Sequence, residues 1–125
     1  MEEFDYIDHE GKRILVAVMY MKDAAAAVNA INALVKLIEK EPPMSVRVLL
    51  DVTEGKIFDE STARWKEVLP VMDRQVLKGA VVGPAWMRTI TSAVLLVARF
   101  SKLGIAARVK AFPTVAEATA YLVQD

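Results

Sequence analysis

Residues Arg13 to Tyr20 constrain the fold most. On an extended backbone Ile14, Val16 and Val18 point one way and Leu15, Ala17 and Met19 the other, so both faces of the segment are apolar. A strand of that kind belongs inside a sheet covered on both sides. Ahead of it, Phe4-Asp5-Tyr6-Ile7-Asp8 alternates apolar with acidic residues and Glu10-Gly11 supplies a turn. This predicts an antiparallel edge hairpin whose acidic side is wet.

The remainder alternates helix and strand. Asp23 is a good N-cap for a helix to about Glu41, whose polar stripe (Asn29, Asn32, Lys36, Glu39) lies opposite Ile31, Leu34, Val35 and Ile38; Pro42-Pro43 stop it. Ser45 to Val52 reads as a second strand. After a loop, Asp59 can cap a helix that carries Trp65, Leu69 and Met72 and that Pro70 should kink or divide. Lys78 to Gly83 holds a short buried strand, Pro84 opens a helix to about Leu103, and Gly104 is the expected stop. A strand from Ala107 to Phe112 and a helix from Thr114 to Val123 follow, Thr114 and Glu117 having capping-box spacing. The order ββαβαβαβα predicts an α/β fold: one domain over residues 1–125, with a mainly parallel sheet of about five strands, an antiparallel edge hairpin and helices on both faces.

Composition narrows the function classes. Sixteen basic residues balance sixteen acidic ones, so no overall field draws the chain to nucleic acid or an anionic membrane. The lack of cysteine removes disulfides, thiolate catalysis and cysteine-ligated zinc, and suits a reducing compartment. The acidic start, Met1-Glu2-Glu3-Phe4-Asp5, lacks the order of a signal peptide. Ala93 to Ala98, the most apolar stretch, is far shorter than the roughly 20 residues of a membrane span. A cytoplasmic location without a transmembrane segment is expected.

No HExxH, GxSxG, GxxxxGK[ST] or GxGxxG sequence occurs. The single histidine, His9, sits between Asp8 and Glu10 in the hairpin turn, where three polar residues in a row are the ordinary makings of solvated loop. Ligands of parallel α/β sheets lie outside the carboxyl ends of the strands. Here that rule selects Tyr20 to Asp23, Asp51 to Glu60, and Gly83 to Trp86. Asp51, Glu54, Asp59 and Glu60 could serve acid/base work or a hard cation, but no basic partner or close motif accompanies them. No catalytic residue, metal or cofactor is therefore expected. Tyr20, Phe58, Trp86 and Met87 are candidates for lining an apolar pocket.

Several segments resemble the STAS-like, SpoIIAA-like family of anti-sigma-factor antagonists, in particular small stand-alone members that are also similar to CRAL-TRIO lipid-transfer domains. They are Val46-Arg47-Val48-Leu49-Leu50-Asp51-Val52-Thr53, Phe58-Asp59-Glu60-Ser61-Thr62, Lys78-Gly79-Ala80-Val81-Val82-Gly83, and Val109 to Phe112 with Thr114 to Leu122. The resemblance covers nearly the whole chain. In regulatory antagonists a strand-end aspartate precedes an Asp-Ser-Ser-Gly helix start whose second serine is phosphorylated to switch partner binding. The resemblance implies that Asp51 is the strand-end aspartate and Ser61 the switch. Glu60 and Thr62 depart from the motif, replacing a serine and the glycine.

Three readings follow. The first is a non-enzymatic regulatory module that binds another protein through Asp51, Asp59, Ser61 and Thr62; the second is a small carrier of an apolar, lipid-like ligand; an enzyme comes third. Self-association is also expected. Ala93 to Ala98 runs through more than a helical turn without a polar residue, so some apolar surface must face away from the sheet. Arg88, Ser92, Leu95, Arg99 and Lys102 form the predicted outward stripe, with Leu95 as its exposed apolar residue and a two-fold homodimer as the outcome.

Overall fold

The computed structural model describes residues 2–124. Strands β1 (Glu2–His9) and β2 (Lys12–Met19) form the antiparallel hairpin, closed by Glu10 and Gly11. Both turn residues have positive φ, at 50° and 78°, as the two-residue turn that matches strand twist requires. Helix α1 (Ala24–Glu39), strand β3 (Val46–Asp51), helix α2 (Asp59–Gln75), strand β4 (Val76–Val82) and helix α3 (Ala85–Phe100) follow. A 3-10 turn over Gly104–Ala107 leads into strand β5 (Val109–Phe112) and helix α4 (Val115–Leu122). The fold is α/β, its five strands ordered β1-β2-β3-β4-β5 and parallel from β2 onward.

That order decides where the helices go. Right-handed crossovers that always step in one direction leave their helices on one side of the sheet. Accordingly α1, α2 and α3 share a face with Leu15, Ala17, Met19, Val48 and Leu50. After β5 there is no strand left to reach, and α4 folds onto the opposite face, where Ala118 and Leu122 bury against Ile14, Leu49, Ala80 and Val82. Four helices thus cover both faces unequally, and Val16 and Val18 on the α4 side stay half-buried.

Local chemistry explains most boundaries. The Asp23 carboxylate caps α1 by accepting from the Ala26 N–H at 2.8 Å, and Thr114 caps α4 by accepting from the Glu117 N–H at 3.2 Å. Three expectations need correction. Pro70 does not divide α2, because Pro70 and the Lys66 whose carbonyl it leaves without a helical donor both lie on the exposed face. Asp59 is not the cap of α2; Phe58 holds that place. Gly104 is not the stop of α3. The helix ends at Phe100 in a Schellman motif, with Leu103 N–H on the Ala98 carbonyl at 2.9 Å, Lys102 N–H on the Arg99 carbonyl at 3.0 Å, and Lys102 at φ 60°.

Candidate interaction surface

The carboxyl ends of the parallel strands are occupied by local hydrogen bonding. Asp51 accepts from the Thr53 N–H at 3.1 Å and the Thr53 hydroxyl at 2.7 Å, an Asx turn that closes β3. Ser61, at the third position of α2, accepts from the Phe58 N–H at 3.2 Å and donates to the Phe58 carbonyl at 2.8 Å. Phe58 packs on the core, which draws the turn inward, and Ser61 is 2% exposed. The exposure expected of a switch serine is overturned. Thr62 is half-buried beside it, while Asp59 and Glu60 are exposed. Among the described residues no group of three His, Asp or Glu could hold a metal ion, and no helix is long and apolar enough to cross a membrane.

The four pocket candidates are not brought together. Met87 is buried on the inner side of α3, Tyr20 and Phe58 are half-buried, and Trp86 turns outward with 49% of its surface exposed.

Helix α3 is the unusual element. Only Met87 and Ala98 of its sixteen residues are buried, and half of the sixteen are exposed. Leu95 is half-buried, correcting the expectation that it is the exposed apolar residue; it leans over the space between α3 and the sheet. The exposed apolar residues are one position further round: Leu96 at 46% and Phe100 at 79%, with Trp86 at the start of the helix. Trp86, Ala93 and Phe100 recur every seventh residue, so they share one face of the helix. Of the other proposed interface residues, Ser92 and Arg99 are exposed and Arg88 is half-buried.

Between α3 and β5, the last strand of the sheet, runs an open groove of about 730 Å³. Its apolar floor includes Leu95, Leu96, Val109 and Ala111, and its charged residues are Arg88, Arg99 and Lys110. Among the described residues none of these three has a carboxylate partner; Lys110 lies over the Tyr121 ring, 5.3 Å from its centroid. The Arg88 Nε is shut from solvent with no acceptor.

This field has a source in the sequence that a net charge hides. No carboxylate occurs between Asp73 and Glu117, whereas Arg88, Arg99, Lys102, Arg108 and Lys110 all fall there. Glu3, Asp5, Asp8 and Glu10 cluster at the other end of the chain. Because the strands lie side by side in sequence order, the sequence asymmetry becomes a spatial one, an acidic β1 edge and a basic β5 edge. The signal was present in the order of charges along the chain.

No family model matches the chain, and no match was found among curated proteins or solved structures.

Proposed function

We propose that this chain is a non-enzymatic interaction module that binds another protein through the outward face of α3 and the adjoining β5 edge, and that the partner offers acidic side chains around an apolar centre. The observation that carries the reading is the exposed apolar set Trp86, Leu96 and Phe100 along α3, beside a groove that Leu96 lines together with Arg88, Arg99 and Lys110. Contiguous apolar surface with a charged rim is the usual make-up of a contact site, and aromatic and arginine side chains supply most of its energy. The Arg88 Nε, a buried donor without an acceptor, favours a partner that brings one.

This reading keeps the class of function that the STAS-like resemblance implies and moves the contact away from Ser61. A serine whose hydroxyl both donates to and accepts from Phe58 would have to open the first turn of α2 before a kinase could reach it. The α/β fold with its ββαβαβαβα order supports the resemblance itself.

Selection from a library of displayed random peptides tests the proposal. Enriched sequences should place Asp or Glu beside aromatic or long aliphatic residues, bind more weakly as salt rises, and lose at least tenfold in affinity to Leu96→Ser and Phe100→Ser. Binders with no acidic bias, or binders indifferent to both substitutions, would refute it.

A further inference from the structure

Beneath α3 lies a partly open cavity of about 110 Å³ between the helix, α2 and the sheet. Native interiors seldom keep voids much larger than a water molecule, so a space of this size within so small a core calls for an account. Its floor is Val48, Leu50, Gly79 and Val81, its roof Ile90, Val94 and Leu95, and α2 supplies Trp65 and Leu69. Gly79 deepens the floor where neighbouring positions carry branched side chains. A Cβ there would lie 2.9 Å from the Val109 Cγ2, so the strand pair is closed tightly enough to exclude one.

The lining dictates what could enter. It contains no charged side chain. Three residues of the wall carry hydroxyls, Ser61, Thr62 and Thr91, and two of these are committed to the backbone: Ser61 donates to the Phe58 carbonyl at 2.8 Å and Thr91 to the Met87 carbonyl at 3.0 Å. A buried water needs two to four polar partners, and an apolar cavity of comparable size stays dry and takes up small apolar molecules. The lining runs from Val76, at the start of β4, and Ile105 to Met21 and Met87 beyond the carboxyl ends of the strands. Met21, Met72 and Met87 supply unbranched, adaptable walls. The roof helix is lightly seated, with two buried residues among its sixteen against six among the sixteen of α1.

We propose that this cavity is a binding site for a small uncharged apolar molecule, of the size of one aromatic ring or a short alkyl chain. The cavity shares Thr91, Leu95 and Val109 with the groove, but the rest of its lining faces the core, whereas Trp86, Leu96 and Phe100 of the docking face are exposed and take no part in it.

Bromobenzene is the probe, because its heavy atom quenches a nearby indole and Trp65 lines the cavity. In a Trp86→Phe variant, Trp65 is the remaining tryptophan. Quenching should saturate, and saturating bromobenzene should raise Tm. Adding Val94→Phe, which fills the space from the roof, should weaken binding at least tenfold; Val81→Leu, filling from the floor, gives the same reading should the first variant fail to fold. Quenching that rises linearly without saturation, or an affinity unchanged in the filled variants, would overturn the proposal. Peptide binding at the outer face is scored separately, so failure of either idea leaves the other standing.

Discussion

The Asp73 carboxylate accepts from the Arg108 Nη2 at 3.2 Å and from the Ile105 N–H at 2.8 Å, while the same Arg108 nitrogen donates to the Asp73 carbonyl at 2.7 Å. The pair pins the C-terminal end of α2 to the 3-10 turn and so fixes where β5 begins. It also engages Arg108 internally, leaving Arg88, Arg99 and Lys110 to face outward. Asp73→Ala should lower stability by about 1–3 kcal/mol, since two partly buried donors lose their acceptor. Asp73→Asn should cost less, because its amide oxygen can still accept from Ile105. Urea unfolding of the three proteins checks this ranking.

Neighbouring leucines of α3 should respond in opposite ways to charge. Leu95→Glu would place a carboxylate over an apolar cavity and should destabilise by more than about 2 kcal/mol. Leu96→Glu, on the outer face, should stay within about 0.5 kcal/mol of the parent. Chemical denaturation of both variants decides it, and equal losses would contradict the orientation of the helix.

Three strands send a basic side chain to the end of α4. Lys12 Nζ donates to the Val123 carbonyl at 3.1 Å, Arg47 Nε to Leu122 at 2.9 Å, and Lys78 Nζ to Tyr121 at 3.0 Å and Gln124 at 2.8 Å. These carbonyls carry the negative end of the helix dipole, which cations stabilise. Lys78→Met keeps the alkyl stem and removes the donor; it should cost about 1 kcal/mol and speed amide exchange in Ala118 to Leu122 before the rest of the chain. Uniform acceleration over all elements would show that α4 has no separate anchoring.

Alkaline stability should report Tyr121 and Tyr6. Burial raises the Tyr121 phenol above its ordinary value, and at Tyr6 burial does the same, assisted by the Glu41 carboxylate that its hydroxyl donates to at 3.2 Å. Below about pH 10 both phenols are protonated in the folded and unfolded chains alike. Above it the unfolded chain releases its protons first, so stability falls as pH rises toward the folded values. Melting temperatures followed from pH 9 to 11 should decline, and Tyr121→Phe should flatten the decline. An unaltered slope in that variant would exclude Tyr121 as a contributor.

The sheet was legible because two-faced apolar runs such as Ile14 to Met19 have few other uses, and the caps at Asp23 and Thr114 because a side-chain acceptor two or three residues ahead of an amide is a local matter. The burial of Ser61 is not legible in the sequence because it depends on Phe58 seating in the core, a tertiary event that no spacing announces. Leu95 and Leu96 are not told apart by the sequence because a polar stripe locates a helix face only to about one residue, and here that residue separates the cavity wall from solvent. The end of α3 was misplaced because Lys102 accepts a left-handed conformation that glycine was expected to supply. The docking face was legible only as the carboxylate-free stretch between Asp73 and Glu117. Its meaning required knowing that the strands lie in sequence order.

Hydrogen exchange, measured with and without a saturating acidic, apolar peptide of the kind the display selection should yield, tests the central claim most directly. The account predicts slower exchange in α3, over Ala85–Phe100, and in β5, over Val109–Phe112, with the loop from Thr53 to Thr62 unchanged. Protection confined to Asp51 through Thr62, with α3 and β5 unaffected, would contradict it and return the contact surface to the start of α2.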